Sequence, residues 1–180
     1  MIRILILMIL AVALTACGSA PPAPAERFYR LQPVKLSPAG KPAEIVVLPF
    51  RADSLYAERP LVYGDAADPR QLRQYHYHLW LYAPPQLVRE HLAASLGRPA
   101  TGSGARLEGR VLRFDRMLAG KHSQAVVTLE LLLTQGGKEL LRKTYTAEQP
   151  AADDSVAGHV LATEQALVAI YTEFLRDFGR

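Results

Sequence analysis

The only cysteine of the chain, Cys17, lies just after an unbroken apolar run that extends from Ile4 to Leu14. A basic residue (Arg3), an apolar run of about eleven residues and then small residues are typical of a secretory signal, and this run is too short to span a bilayer comfortably. The four residues Leu14, Thr15, Ala16 and Cys17 match the lipobox at which bacterial lipoproteins are cleaved and lipidated. The sequence therefore predicts a lipoprotein signal peptide over residues 1–16, so the folded domain must lie after Cys17.

Lipidation of Cys17 would set both the location and the chemistry of the mature chain. A diacyl group on the sulfur and an acyl chain on the new N-terminus together give stable membrane anchoring, which one acyl chain does not. Residue 18 is Gly rather than the Asp that tends to retain lipoproteins at the inner membrane, so we expect the outer membrane and its periplasmic face. With its one thiol lipidated, the chain has no disulfide and must be stabilised by its hydrophobic core. Apart from this covalent lipid, no cofactor is expected.

A tether is predicted between the lipid and the folded part. Residues 18–25 consist mainly of Ala and Pro, a composition that favours the extended polyproline conformation. At about 3.1 Å per residue, such a segment holds a domain roughly 25 Å from the membrane. We therefore assign residues 17–26 to the lipidated cysteine and tether, and residues 27–180 to one folded domain.

The formal net charge of +4 is mildly basic. An exported, membrane-anchored chain meets no nucleic acid, so the basic excess favours phospholipid headgroups or an acidic protein as partners. An ordinary solvated surface with a slight excess of arginine also accounts for the charge, and it is the simpler explanation because net charge bears on solubility before function. Net charge therefore gives no support to nucleic-acid binding.

Four strands are predicted in the first half of the domain, over residues 28–33, 44–50, 61–63 and 72–82. The second contains a continuous apolar run from Ile45 to Leu48, which predicts a strand covered on both faces and central in the sheet. The fourth alternates, and we expect one face in the core and the other to be polar and aromatic. The predicted core face carries Tyr75, Tyr77, Leu79 and Leu81, and the other face carries Gln74, His76, His78, Trp80 and Tyr82.

Two helices and an antiparallel meander complete the prediction. Pro85 suits the first turn of a helix that ends at Leu96, before Gly97. Three alternating segments, residues 106–116, 125–134 and 139–147, form the meander, and Gly136 and Gly137 supply a tight hairpin between the last two. A long amphipathic helix starts after Ser155. The fold class is therefore α+β: a two-layer domain with a largely antiparallel, or mixed, sheet packed by two main helices.

This layout resembles the ABC-type transport auxiliary lipoproteins, the PqiC-like family. The resemblance covers nearly all of the mature chain and rests on the order of lipobox, Pro/Ala tether, Phe28 to Leu31, Ile45 to Phe50, Tyr56, a strand ending at Trp80, a helix to Leu96, the meander and the terminal helix. In the family an acidic residue often follows the counterpart of Trp80, whereas Leu81 and Tyr82 follow it here. A family-wide polar contact at this point is therefore not expected in this chain.

The resemblance implies a non-catalytic part in an Mce-type lipid transport system that maintains membrane integrity. Such systems pair an inner-membrane ABC permease and ATPase with periplasmic Mce proteins, and the lipoprotein supplies the outer-membrane end. The sequence contains no Gly-rich phosphate-binding loop followed by Lys-Ser or Lys-Thr, so another subunit would hydrolyse ATP. A docking or gating role is implied, and a symmetric conduit would favour a ring of several copies.

Four aromatic residues are the candidate partner interface: Tyr56, Tyr63, Trp80 and Tyr82. Large amphipathic rings are common anchors of protein interfaces, and Trp80 and Tyr82 are on the predicted polar face of their strand. The alternative is that these rings pack the sheet beneath a helix. Sequence alone leaves both interpretations open.

Two other function classes fit parts of the sequence. His76 and His78 have a spacing that a zinc site can use, with Asp65 or Asp68 as a third ligand, but the pattern is weak, and neither a metal site nor an enzyme is predicted. The second class is a lipid carrier or assembly lipoprotein of the cell envelope. Its pocket would be lined by the aliphatic residues Val126, Val127, Leu129, Leu131, Leu132 and Leu133, which a sheet packed by helices would instead use as core.

Overall fold

The computed structural model describes residues 22–36, 44–97 and 104–179. The lipobox residues Leu14, Thr15, Ala16 and Cys17 lie outside these ranges, as does most of the predicted tether. The described residues form eight strands and two α-helices. In chain order these are β1 (Arg27–Tyr29), β2 (Ile45–Val47), β3 (Arg51–Ala52), β4 (Pro60–Asp65), β5 (Asp68–Trp80), α1 (Pro84–Leu96), β6 (Ala105–Ala119), β7 (His122–Gln135), β8 (Lys138–Pro150) and α2 (Val156–Phe178).

All eight strands belong to one mixed sheet with the order β1-β5-β4-β6-β7-β8. Strands β6, β7 and β8 form the predicted antiparallel meander. Strands β2, β3 and β4 lie one after another along the other edge of β6 and run parallel to it. Both helices pack against this sheet. The predicted α+β class, with a mixed sheet and two main helices, is confirmed.

Strand β2 is not central, which corrects the prediction made from its apolar run. In the described part of the chain, it pairs only with β6, in the register Ile45 to Ala105 and Val47 to Leu107. Ile45 and Val47 are buried, whereas Val46 is only half-buried. Since α1 packs near β2, one covered face is enough to explain most of the apolar run.

The turns and caps follow the local sequence. Gly136 and Gly137 have φ values of 57° and 81°, the left-handed conformation that a tight hairpin between β7 and β8 requires. At the start of α2, the Ser155 hydroxyl accepts a hydrogen bond from the Gly158 N–H at 2.9 Å. The predicted hairpin and both predicted helices are confirmed.

The core lies between the sheet and the two helices. Trp80 of β5 packs edge-on against Phe114 of β6, with ring centroids 5.2 Å apart, and Tyr145 of β8 packs edge-on against Phe174 of α2. Leu129, Leu131 and Leu133 of β7 have no exposed surface. Burial of this kind contributes about 1.5–3 kcal/mol for each large apolar side chain, so this layer supplies much of the stability.

The two faces of β5 near its end are the reverse of the prediction. Trp80 is 1% exposed, whereas Tyr77, predicted to face the core, is 40% exposed; Leu81, also predicted to face the core, lies in the turn after β5 and is 37% exposed. The cause is an irregularity in the pairing with β4, where Pro60 pairs with Leu79 but Val62 pairs with Gln74. Between these two pairs, β5 advances by five residues while β4 advances by two, so β5 contains a bulge. Side chains before and after the bulge therefore do not follow one strict alternation between the two faces.

Candidate functional site

An apolar cleft forms where the segment after β1 crosses the first helix. The carbonyl of Gln32 accepts a hydrogen bond from His91 Nε2 of α1 at 3.0 Å, and the Gln32 N–H donates to Glu164 of α2 at 2.6 Å. Farther along, the Leu36 N–H donates to the carbonyl of Ser95 at 3.1 Å. These three bonds fix residues 31–36 across both helices and leave a cleft beside the turn between β5 and α1.

The cleft, which we call the Tyr82 cleft, has a volume of about 220 Å³. Its lining consists of Arg30, Leu31, Pro33, Leu81, Tyr82, Leu87, Glu90, His91 and Ala94. Tyr82 is 40% exposed. Because small-molecule sites commonly have about 300–1,000 Å³, a cleft of this size suits an apolar side chain of a partner better than a whole lipid.

His91 is the buried polar residue of the cleft. Its ring is 3% exposed, and burial lowers its pKa, so the imidazole is neutral at neutral pH. Nε2 then carries the proton that Gln32 accepts, while the Tyr171 hydroxyl lies 3.4 Å from Nδ1. Both ring nitrogens therefore face protein groups. His91 holds the wall of the cleft in place and does not present a free catalytic base.

One of the predicted interface residues, Tyr56, has its hydroxyl bound within the protein. This hydroxyl donates to Asp115 Oδ1 at 2.6 Å, and Arg113 Nε donates to Asp115 Oδ2 at 2.9 Å. Burial is the main cause that raises the pKa of Tyr56 well above its usual range, and the hydrogen bond to Asp115 adds to it. Since Asp115 is 1% exposed, Tyr56 serves first to satisfy a buried carboxylate.

Tyr63 of β4 belongs to an aromatic cluster with Tyr75 and His78 of β5. Its ring centroid is 4.4 Å from that of Tyr75, and Tyr75 is in turn edge-on to His78. The Tyr75 hydroxyl accepts a hydrogen bond from Arg116 Nη1 at 2.7 Å. Tyr63 is half-buried and far from the Tyr82 cleft in the strand register, so the structure does not bring the predicted interface residues together.

Trp80 is not part of any surface, and its assignment to the interface is corrected. Its side chain is enclosed by Phe114 and by His159 of α2, whose ring centroid is 6.2 Å away. The physical reason is the bulge in β5, which turns Trp80 toward the helices. Of the four predicted aromatic residues, only Tyr82 is well exposed. An interface role for Tyr56, Tyr63 and Tyr82 stays a prediction.

The histidine pair on β5 does not lie in a metal-ligand cluster. His78 Nδ1 is 2.8 Å from the Tyr29 hydroxyl, Asp65 accepts from the Ala67 N–H, and Asp68 pairs with Arg70. Within residues 22–36, 44–97 and 104–179, no three His, Cys, Asp or Glu side chains are grouped to hold a metal ion.

Neither helix in these ranges has the length and apolarity needed to cross a membrane.

A second depression, of about 310 Å³, lies over β3, β6, β7 and β8. Its charged lining mixes both signs, with Arg51, Arg110 and Arg142 beside Asp53, Glu108 and Glu130. Arg110 forms an ion pair with Asp53, and Arg142 with Glu139 at 2.9 Å. Charges that already neutralise one another give no selectivity for an anion or a cation, so the depression is a weaker candidate than the Tyr82 cleft.

Sequence reasoning missed the cleft because its walls come from three separate segments. Leu31, Leu81 and Leu87 each have the character of ordinary core residues, and none of them carries a motif. The proline pair at the start of α1 is the one available signal, since it marks the turn on which Leu81 and Tyr82 lie. No spacing in the sequence shows that residues 31–36 return to this turn.

No protein-family model matches the sequence, and no curated protein is significantly similar to it. Among solved structures, protein XCC0632 from Xanthomonas campestris, a DUF330 protein, aligns with a TM-score of 0.72 at 20% identity, over 84% of this chain and 96% of that one. An uncharacterised protein aligns with a TM-score of 0.68 at 17% identity, over 86% and 99% of the two chains.

A third structure, from Caulobacter crescentus CB15 and described as a candidate lipoprotein, aligns with a TM-score of only 0.40 at 16% identity, over 52% of this chain and 79% of that one. Similarity at that level does not establish a shared fold. The alignments with the first two structures, at 20% identity or less, show a common fold and do not show a common activity. The chain thus has the same fold as XCC0632.

Proposed function

We propose that this chain is a lipid-anchored protein of the cell envelope, held at the periplasmic face of the outer membrane through Cys17. In this proposal it is a non-catalytic docking or gating component of an ABC/Mce-type lipid transport system. Its direct partner is an Mce-type periplasmic protein, and through that protein it works with an inner-membrane ABC permease and ATPase. The proposed transport system comes from the sequence resemblance to the PqiC-like family, and the fold shared with a DUF330 protein is consistent with that resemblance.

One observation carries the proposal: an open apolar cleft lies at the end of β1, the three-residue strand into which the predicted tether leads. The lipobox and tether lead directly into β1, and the Leu81 N–H at the edge of the cleft donates to the Tyr29 carbonyl of β1 at 2.7 Å. Anchoring confines a docking surface to one membrane, which raises its effective concentration at any conduit that reaches that membrane. An exposed tyrosine on an apolar cleft is a common anchor for such contacts.

The Tyr82 cleft gives a direct test of docking. In detergent solution, where a membrane contributes nothing, we expect Tyr82→Ala to weaken co-purification of an Mce-type protein with the full chain by about 10-fold, the usual effect of truncating an anchor residue. Tyr77→Ala is the matched control, because Tyr77 is exposed to the same 40% but lies outside the cleft. Equal binding by both variants and the unmodified chain would remove the cleft from the docking role.

The lipid-carrier alternative receives less support from the packing. Val127, Leu129 and Leu131 are 0–1% exposed and belong to the core that the helices cover. They therefore do not line an open pocket. The alternative predicts a bound lipid in stoichiometric amount after purification, which mass spectrometry of an organic extract would detect.

A further inference from the structure

Exposed apolar side chains are concentrated on β1, β5 and the segments that follow these two strands. The described ranges contain seven large apolar side chains that are well exposed, and five of them lie on β1, on β5 or in the segments that directly follow these strands. These five are Phe28, Val34, Tyr77, Leu81 and Tyr82. A concentration of this kind marks a contact surface more often than scattered single residues do.

Part of this concentration lies outside the Tyr82 cleft. Phe28 of β1 pairs with Leu79 of β5, so these two side chains share one face of the strands, and Tyr77 is two residues before Leu79 on β5. Phe28 is 49% exposed and Tyr77 is 40% exposed. We call Phe28, Tyr77 and Leu79 the outer-edge stripe. None of its residues lines the cleft.

Arginine side chains accompany the stripe. The guanidinium carbon of Arg59 is 5.0 Å from the centroid of the Phe28 ring, and Arg59 Nε donates to the Trp80 carbonyl at 3.1 Å. Arg27, next to Phe28, is exposed. Each of these arginines follows a glutamate in the sequence: Glu26 is exposed, and Glu58 accepts a hydrogen bond from Gln74. Amphipathic rings beside arginine are favoured at the headgroup level of a bilayer, where guanidinium binds phosphate.

The position of β1 in the chain identifies the occupant. β1 begins at Arg27, ten residues after Cys17, and ten fully extended residues reach at most about 36 Å. The start of β1 is therefore the place where an anchor at Cys17 constrains the distance of the sheet from the bilayer most tightly, because it is the strand nearest to Cys17 along the chain. At the other end of the strand order, β8 is separated from β1 by four strands.

We propose that the outer-edge stripe, with Arg27 and Arg59, rests on the phospholipid headgroups of the membrane in which Cys17 is anchored. This inference depends on the lipid anchoring in the proposed function, but not on the Mce partner. It adds an orientation: the β1 edge of the sheet faces the membrane and β8 points away from it. A lipid anchor limits the distance of a domain from the bilayer, whereas a surface contact also limits its rotation.

The test uses the lipidated full chain in vesicles of phosphatidylethanolamine and phosphatidylglycerol. Lipid blocks Cys17, so a cysteine introduced elsewhere is the only free thiol for an environment-sensitive fluorophore. Tyr77→Cys places the probe on the stripe, and Leu140→Cys on β8 is the matched control, with 47% exposure against 40% for Tyr77. We expect an aqueous quencher such as iodide to reach the probe at position 77 at least about 3-fold less efficiently than the probe at position 140.

Each outcome decides a different part of the inference. Protein that floats with the vesicles but shows equal quenching at both positions overturns the membrane contact and leaves the anchoring intact. Protein that fails to float overturns the anchoring and the contact together. Shielding of position 77 that develops only when an Mce-type protein is added assigns the stripe to that partner and overturns the lipid as occupant. Shielding that is lost in Arg59→Gln would support headgroup binding through the guanidinium.

Discussion

Tyr77 and Trp80 are three residues apart on β5, yet their environments are opposite. Trp80 is 1% exposed and lies between Phe114 and His159, whereas Tyr77 is 40% exposed and its ring contacts the neighbouring His76, at 6.4 Å between centroids. Aromatic character does not distinguish the two residues, because both are large amphipathic rings. The pairing bulge between β4 and β5 decides which of them enters the core. The inner face of β5 therefore stabilises the domain, and the outer face is available for contacts.

The largest expected effect separates these two faces directly. Trp80→Ala removes the largest fully buried side chain and leaves a cavity beside Phe114, so the free energy of unfolding should fall by about 3–5 kcal/mol. Tyr77→Ala should change it by less than about 0.5 kcal/mol, as expected for an exposed site. Urea unfolding followed by circular dichroism measures both. Equal destabilisation by the two variants would mean that the faces of β5 are not those described.

The second prediction concerns Arg116, a buried charged residue of β6. Arg116 is 4% exposed, and its Nη2 donates to the carboxylate and the carbonyl of Asp154, at 2.8 Å and 2.7 Å, next to the start of α2. Arg116→Met keeps most of the buried volume but leaves these acceptors and the Tyr75 hydroxyl without their donor. We expect a loss of about 2–3 kcal/mol in the free energy of unfolding.

Asp154→Asn is the matched control for Arg116. It removes the charge of a side chain that is 54% exposed and keeps the acceptor carbonyl, so the loss should be about 1 kcal/mol or less. Denaturant titration of the two variants under one set of conditions gives the comparison. A smaller loss for Arg116→Met than for Asp154→Asn would contradict the assignment of Arg116 as a buried anchor of α2.

The third prediction is a pH dependence that arises at the same place. Burial, with a further contribution from the positive charge of Arg116, lowers the pKa of His159 from 6.5 to about 3. Between these values the unfolded chain binds a proton that the folded chain does not, so the free energy of unfolding falls as pH drops below 6.5. The loss from this one residue should approach about 1.4 kcal/mol per pH unit.

His159→Gln tests this linkage, because glutamine does not titrate. Between about pH 6.5 and pH 4.5, the variant should lose less stability than the unmodified chain, with a slope lower by about one proton. His91, whose pKa burial also lowers, remains in both proteins and cancels in the comparison. Parallel stability curves for the two proteins would show that His159 does not stay neutral in the folded state.

The layout of the fold could be predicted from the sequence wherever local patterns determine structure. The hairpin at Gly136 and Gly137, the cap at Ser155 and the first turn of α1 at its proline pair depend on residues close in sequence, and the structure confirms all three. The faces of β5 could not be predicted, because the bulge is a property of the pairing between two strands. The prediction of a central strand from Ile45 to Val47 is wrong for a related reason: burial by a helix and burial by two neighbouring strands select the same apolar residues.

The candidate site was the least predictable part. Only Tyr82 of the four predicted interface residues is well exposed, and the cleft around it depends on residues 31–36 crossing the helices. The bonds that hold this crossing, from Gln32 to His91 and Glu164, join residues 59 and 132 positions apart. Nothing in the local sequence specifies such contacts. The outer-edge stripe escapes sequence reasoning because strict alternation along β5 places Tyr77 in the core.

The smallest expected effect belongs to the outer face itself. Arg59→Ala removes the guanidinium that lies over the exposed Phe28 ring, where a cation–π contact contributes about 0.5–1 kcal/mol, and it also removes the part-buried hydrogen bond to the Trp80 carbonyl. We expect the free energy of unfolding to fall by no more than about 1 kcal/mol. Arg73→Ala is the control, since Arg73 is exposed on β5 and bonds only the Gln71 side chain among the contacts described. A loss of about 3 kcal/mol or more, on the order of that for Trp80→Ala, would show that the outer face stabilises the fold. In that case the exposed rings would be explained by packing alone, and the contrast between the two faces of β5 would no longer support a membrane contact.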